Sequence, residues 1–339
     1  MSALEGLRVI SLARFQAAHM LNMLLSDHGA DVRVVPLPGC LEGGAPSRGL
    51  DTLALDLSQP AGREALQRLI DQADVVVDEL SNDEWSPRYP ESLIRVRIPA
   101  IQADPSIPGF AELAAAHAGL YSAPLQRNPT FTTMHVTAWI SALYAAIGVC
   151  AALLARMRDG RGQAVSVPQD HATLAALELN ALFTLNPSTR WSPVRWACSP
   201  FLRAWPCADN RWLYVHAGMP AHAQTLIRVL GIDIAINLAT LEDPSKVHSP
   251  AEANRIAAAL QAAFSTDTAA HFEQKLTDAG LCVAPVFSPE EWSKHPHPNA
   301  AGHFVTTPQG TREPGIHVVL SKTPGSPKQP HRERSWNAD

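Results

Sequence analysis

The feature that most constrains this chain is a strand, a helix and a second strand within residues 7–35. Leu7–Leu12 (LRVISL) is an apolar run of strand length, and the segment through Met20–His28 reads as a helix ended by Gly29. Asp31–Val35 (DVRVV) is the next strand, closed by Pro36 and Pro38. Strand, helix, strand at this spacing predicts a parallel pair with a helical crossover, because parallel strands cannot be joined by a tight turn. The pattern continues. Thr52–Leu57 (TLALDL) reads as a strand, Ser58 as the cap of a helix beginning near Pro60, and Ala73–Val77 and Ile94–Ile98 as two further strands. A doubly wound α/β fold is therefore predicted for the N-terminal half.

Thr137–Arg158 is the longest apolar helical segment, rich in alanine and punctuated by polar residues. No window reaches about 18 uninterrupted apolar residues, so it suits a packed core or interface better than a membrane. Asp159-Gly160-Arg161-Gly162 ends it, Gln163–Val167 alternates as a strand, and Pro168 opens another helix. From Asn186 to Trp212 the texture turns to Pro, Trp and Ser, which reads as a linker and the entry to a second domain. Trp212–Val215 is expected as a strand, and Ala221–Leu230, Pro250–Ala263 and Thr268–Ala279 as helices. From Pro308 the chain reads as Pro-rich and weakly structured.

Totals exclude several functions. A net charge of -5 gives no basic footprint for nucleic acid or anionic lipid. The N-terminus lacks the basic start and apolar run of a signal peptide. The five cysteines (Cys40, Cys150, Cys198, Cys207, Cys282) are never in CxxC spacing. They predict reduced, mostly buried thiols in a cytoplasmic protein, with neither a disulfide framework nor a structural zinc. There is no GxGxxG, no P-loop and no GxSxG elbow.

Five segments, in order, resemble the class III CoA-transferases, the formyl-CoA transferase and carnitine-dehydratase-like family. They are residues 4–39, residues 47–80, AIGVCAALLARMRDGRGQAVSV at 146–167, WPCADNRWLYV at 205–215, and AGLCVAPVFSPEEW at 279–292. The resemblance implies a large Rossmann-like domain made from residues 1–190 with 308–339. It implies a smaller α+β domain over 200–307, joined through a linker at 186–200, and two chains interlocked as a homodimer or a family heterodimer. The substrates it implies are coenzyme A, as acyl-CoA, and a carboxylic acid, with no covalently bound cofactor and no metal.

The family's chemistry uses one aspartate just after the strand of the GRGQ segment. Its carboxylate attacks an acyl-CoA thioester to give a mixed anhydride and CoA thiolate, and exchange proceeds through an enzyme–CoA thioester. Without a gap, that position falls on His171, with Asp170 one residue earlier. A one-residue shift turns a helical side chain by about 100°. Either Asp170 is the nucleophile through a local register shift at Pro168, or His171 works as a base. The structural alternative is that Asp170 complements a helix dipole and His171 packs at a surface. CoA contacts are expected at Gln16 and Ala17 in the first turn, at Arg48, and at Glu79 and Leu80, which stand where the family has an Asn-Phe-Arg run. Glu79 would put a negative charge against a polyphosphate. Arg48 reads equally as a phosphate contact or a solvated loop charge.

The related acyl-CoA racemases use a His/Asp pair, and the matching positions here are occupied by Phe110, in Gly109-Phe110-Ala111, and Thr137. His117 and His135 lie nearby in sequence. His295-Pro296-His297 is a weak metal candidate without a matching acid or cysteine. The tryptophans between Trp191 and Trp212 could line a pocket or simply pack.

Overall fold

The computed structural model describes residues 2–37, 48–80, 85–104, 106–121, 131, 134–177, 185, 199–237, 239–242, 248–307 and 310–327. The chain divides into two compact units, Met1–Ala176 with His297–Asp339, and Leu177–Pro296.

The first unit is organised on a six-stranded parallel sheet. Its strands are β1 Arg8–Leu12, β2 Asp31–Val34, β3 Leu50–Thr52, β4 Val75–Asp78, β5 Ile94–Arg97 and β6 Ala164–Ser166, in the order β3-β2-β1-β4-β5-β6. The helices are α1 Gln16–Asp27, α2 Pro60–Asp71, α3 Ala111–His117, α4 Val136–Asp159 and α5 Gln169–Ala176. Successive strand residues feed two cores. Val9, Val75 and Val77 pack with Leu21 of α1 and Ala138 and Ala142 of α4. Ile10, Leu12 and Val76 pack with Leu66, Leu69 and Ile70 of α2 on the other face. Being buried on both faces is why these strands read as continuous apolar runs rather than alternating ones. The strand order reverses between β1 and β4, and in open α/β sheets ligands bind beyond the strand ends at that point.

Several local expectations change. Helix α1 begins at Gln16, before the expected Met20, because Ala17, Ala18 and Leu21 already belong to its buried face. Thr52–Leu57 is not a strand. Only Leu50–Thr52 pairs with β2, and Asp56 then turns the chain by accepting both the N–H (3.0 Å) and O–H (2.6 Å) of Ser58. Ser58 is thereby used up, and the N-cap of α2 is Gln59 with Pro60 in the first turn. Gly29 follows α1 at φ +111°, and a Cβ there would sit 2.5 Å from the Ser2 Cβ, so no larger residue fits.

Helix α4 buries a stripe of small residues, Ala138, Ser141, Ala142, Ala145, Val149 and Ala152. Its other side exposes Leu143, Ile147, Leu154 and Met157, with Ile147 63% and Met157 83% accessible. By length and composition α4 could cross a membrane. It is instead a core helix of this sheet, and Arg156 near its end bonds the Asp74 carboxylate at 2.9 Å. The segment expected to be weakly structured from Pro308 contributes β11 Arg312–Pro314, which pairs antiparallel with β10 Phe304–Thr306.

The second unit contains β7 Leu202–Pro206, β8 Trp212–His216 and β9 Cys282–Val286 as an antiparallel sheet in the order β7-β8-β9. Its helices are α6 Pro220–Leu230, α7 Ala239–Glu242, α8 Pro250–Phe264, α9 Ala269–Asp278 and α10 Pro289–Lys294, and α11 Pro296–Ala300 straddles the boundary. Trp205, Leu213 and Val215 pack with Leu226, Leu260, Phe264 and Leu276. Strand β7 lies in the stretch read as a linker and the entry to the second domain, just past the expected 186–200 linker. Its Pro206 is tolerated because β7 is an edge strand. Among the described cysteines, Cys207 is buried, and burial pushes its thiol up to about 11. Cys150 and Cys282 are exposed, contrary to the expected burial, and Cys40 and Cys198 lie outside the described residues. So do Trp191, Trp196 and most of the expected 186–200 linker.

Candidate functional site

The C-terminal ends of β1, β4, β5 and β6 surround a cavity of about 650 Å³ in the first unit. It opens at the point where the strand order reverses, the position this architecture leaves free for a ligand. Arg14 and Phe15 come from the β1–α1 turn, and Glu79 and Leu80 follow β4. Arg97 ends β5, Gly109 ends the loop that follows, and Ser166 ends β6.

The carboxylates on this wall are held differently. Asp78 is buried, and its Oδ2 accepts from Tyr89 Oη (2.9 Å) and from Arg95 Nε (2.6 Å) and Nη2 (2.5 Å). Its Oδ1 accepts the Leu80 N–H at 3.0 Å, so both oxygens are satisfied. Glu79 Oε2 accepts the backbone N–H groups of Arg14 (2.6 Å) and Phe15 (3.0 Å), which hold the turn into α1. Its Oε1 is closed from solvent and has no hydrogen-bond partner among the described residues. Burial raises the Glu79 carboxyl to about 7, against the pull of those two N–H groups. Glu79 is therefore not the exposed extra charge that sequence reasoning placed there. Leu80 is 9% accessible and packs in the α2-side core.

Arg97 escaped sequence reasoning. Arg97 lines the cavity, and its guanidinium makes no hydrogen bond or ion pair with any described residue. The signal was available in Ile94-Arg95-Val96-Arg97, where two arginines alternate with buried residues inside a parallel sheet. Arg95 is consumed by Asp78, whereas Arg97, like Arg14, is among the residues that line the cavity.

Asp170 stands in the first turn of α5, just past β6. The start of α5 is pinned to the chain after β5 by Gln169 N–H to the Pro99 carbonyl (2.9 Å) and Asp170 N–H to the Ala100 carbonyl (3.1 Å). Gln169 is fully buried and donates to the Gly109 carbonyl at 2.8 Å, so the residue before Asp170 backs the cavity wall. The Asp170 side chain is 12% accessible, its Oδ1 accepts the His171 N–H (2.9 Å), and its Oδ2 lies 3.9 Å from His117 Nδ1 at the end of α3. His171 is exposed.

Gln16 and Ala17 sit at the start of α1, and neither lines the cavity; Ala17 is part of the core. Arg48 is neither solvated nor open to an anion. Its Nε and Nη2 grip the two oxygens of Asp27 at 3.0 and 2.7 Å, Nη2 also reaches the Gly315 carbonyl at 3.1 Å, and Nη1 donates to the Pro314 carbonyl. At the racemase positions, Phe110 is 42% exposed, and Thr137 is buried with its hydroxyl 2.8 Å from that of Thr173. His135 approaches Glu112 at 3.3 Å on the surface. His295 stacks on Trp292 (5.6 Å) and His297 rests edge-on against His303. Among the described residues no group of three or more His, Cys, Asp or Glu could hold a metal ion.

Comparison with known proteins places these features in context. The sequence model of CoA-transferase family III matches residues 45–333. An alpha-methylacyl-CoA racemase of Mus musculus is 27% identical over 345 residues, covering 96% of this chain and 88% of the relative. A succinate–glutarate CoA-transferase of Agrobacterium fabrum is 27% identical over 374 residues, covering 95% of this chain and 90% of the relative. A crystal structure of a Mycobacterium tuberculosis protein superposes with a TM-score of 0.77 at 22% identity, covering 97% of both chains, which shows a shared fold.

Proposed function

This chain belongs to CoA-transferase family III, and from that membership we propose that it is an acyl-CoA:carboxylate CoA-transferase acting through Asp170. Acyl-CoA handling is common to its transferase and racemase relatives. The observation that carries the finer reading is the setting of Asp170. It is a largely enclosed carboxylate in the first turn of a helix, beside the cavity wall, held by one backbone N–H, with the His117 imidazole 3.9 Å away and, among the described residues, no Lys or Arg in an ion pair with it. A helix start favours the ionised form and stabilises an oxyanion beside it.

In the first half-reaction the Asp170 carboxylate attacks the thioester carbonyl. The C–S bond breaks, leaving an aspartyl anhydride and CoA thiolate. The thiolate then attacks the aspartyl acyl carbon, releasing the first acid and forming an enzyme–CoA thioester. The acceptor carboxylate attacks that thioester to form a second anhydride and free the thiolate again. The thiolate returns to the new acyl carbon, giving product acyl-CoA and regenerating Asp170. His171 cannot replace Asp170, because an imidazole has no acyl carbon to offer a thiolate.

The His117–Asp170 approach favours one second reading, proton transfer next to a thioester carbonyl. One experiment addresses both. The protein is incubated with acyl-CoA in deuterated water, trapped with hydroxylamine or borohydride, and mapped by mass spectrometry. A tag on Asp170 and loss of exchange in Asp170→Ala support the transferase. Deuterium at the α-carbon without a tag supports proton transfer. Neither signal, with any acyl-CoA tried, leaves a catalytically silent subunit or a repurposed member of the family.

The exposed Leu143, Ile147, Leu154 and Met157 stripe of α4 supports the expectation of an intimate homodimer or family heterodimer. A lone chain would otherwise leave that apolar surface in water.

A further inference from the structure

The Asp170 carboxylate has little of its own to fix it. Oδ1 accepts the N–H of the next residue, His171 (2.9 Å), and Oδ2 has the His117 imidazole at 3.9 Å, longer than a hydrogen bond. Where the carboxylate stands is therefore set by where the first turn of α5 stands, and the residue before it anchors that turn. Gln169 is fully buried, and its N–H donates to the Pro99 carbonyl after β5 at 2.9 Å. Its carbonyl accepts the Thr173 hydroxyl (2.7 Å), so in the 2.8 Å contact between Thr173 and Thr137 of α4 the Thr137 hydroxyl is the donor. Its side-chain Nε2 donates to the Gly109 carbonyl at 2.8 Å. Gly109 is held on its other side as well. A Cβ there would lie 2.4 Å from Phe15 Cδ2, so its bare backbone rests on the Phe15 ring. The next residue, Phe110, is the N-cap of α3, the helix that ends at His117. One side chain thus ties together the two helices that meet at Asp170, α5 and α3.

Packing alone does not account for Gln169. Its Oε1 is closed from solvent and has no hydrogen-bond partner among the described residues, a cost that Met or Leu in the same space would avoid. What those residues lack is the Nε2 donor. Turning the amide over would bring Oε1 against the Gly109 carbonyl, so the donor is on the side where it is used. We propose that Gln169 is a positioning residue, which by holding the Gly109 carbonyl aims the Asp170 carboxylate at the thioester without itself touching substrate. The proposal deepens the transferase reading and rests on Asp170 being the nucleophile.

The test is the single-turnover rate at which the full chain forms its Asp170 adduct, read by rapid quench and mass spectrometry. Acetyl-, butyryl-, octanoyl- and succinyl-CoA are tried, and the fastest is used throughout. Gln169→Leu lowers the rate at saturating acyl-CoA by about 10- to 100-fold, the order expected of an ångström-scale misplacement. The half-saturating concentration changes by less than about threefold, because the loss falls on the chemical step. In Gln169→Glu a protonated carboxyl can still donate to the Gly109 carbonyl, whereas the ionised form sets a charge against that oxygen. Its rate is close to wild type at pH 5.5 and falls progressively behind wild type as pH rises to 8.5. Circular dichroism at each pH gives the folded fraction, and rates are expressed per folded protein. If Gln169→Leu does not fold, Gln169→Glu decides, since there only the proton changes between one pH and the next. A wild-type rate in folded Gln169→Leu overturns the proposal, as does a loss confined to the half-saturating concentration. A ratio of Gln169→Glu to wild type that is the same at every pH overturns it as well. An adduct in the wild type with either of these variants unaffected sinks the positioning role and spares the transferase. No adduct in the wild type with any of the acyl-CoAs sinks both.

Discussion

Replacing Glu79 by Gln should change the pH dependence of folding in a direction opposite to most carboxylate substitutions. Burial moves the Glu79 carboxyl from an ordinary 4.5 to about 7, so ionising it in place costs on the order of 3 kcal/mol. Between pH 4.5 and 7 the folded chain holds a proton that the unfolded chain has released. The contribution of Glu79 is therefore fully present below pH 4.5, is lost as pH rises through 7, and stays lost above it. The amide in the Glu79→Gln variant would be neutral throughout, with its carbonyl oxygen still able to accept from Arg14 and Phe15. Urea melts of the two proteins should nearly coincide at pH 5. At pH 8 the Glu79→Gln variant should be the more stable, by up to ~3 kcal/mol, with an unchanged dependence on urea. A difference that is the same at pH 5 and 8 would refute the buried-carboxyl argument. So would a variant less stable at pH 8, which would mean that the ionised carboxylate is the form the turn requires.

Two further outcomes follow from packing. Arg48→Ala leaves Asp27 buried without its counter-charge, and chemical denaturation should show a loss of about 3–5 kcal/mol. A loss below ~1 kcal/mol would mean that water replaces the guanidinium freely. In light scattering at micromolar concentration the wild-type chain should have the mass of a dimer, and Ile147→Asp on the exposed stripe of α4 should shift it towards monomer. A monomeric wild type would remove the interface.

The parallel sheet was legible because its strands are buried on both faces, and double burial writes itself as unbroken runs such as Val75-Val76-Val77. The antiparallel β7 was not, since Pro206 and the neighbouring tryptophans mimic loop composition while Trp205 is packed on Phe264. Helix starts shifted where buried alanines extend a helix without a recognisable cap, as at Gln16. In the site, the family resemblance led to Asp170 and Glu79, but the direction of a side chain is a tertiary property. Nothing local says that the Glu79 carboxylate turns towards the amides of Arg14 and Phe15, 65 and 64 positions earlier, or that Arg48 reaches Pro314 and Gly315. Arg97 was missed for the complementary reason. A charge in a strand is conspicuous only when its neighbour Arg95 is seen to be already paired.

The Arg48 clasp also bears on how the chain is made. Its partners lie on α1 and at residues 314 and 315, so the first unit cannot close until almost the whole polypeptide has been synthesised. The second unit is one continuous stretch, Leu177–Pro296, and can complete itself while the ribosome is still adding the residues that close the first. At a synthesis rate of about 5–20 residues per second, the N-terminal sheet waits many seconds with its β2–β3 edge lacking that clasp. Nascent chains stalled before residue 314 should be open to protease around α1 and resistant within 199–296, whereas chains stalled beyond it should be protected in both.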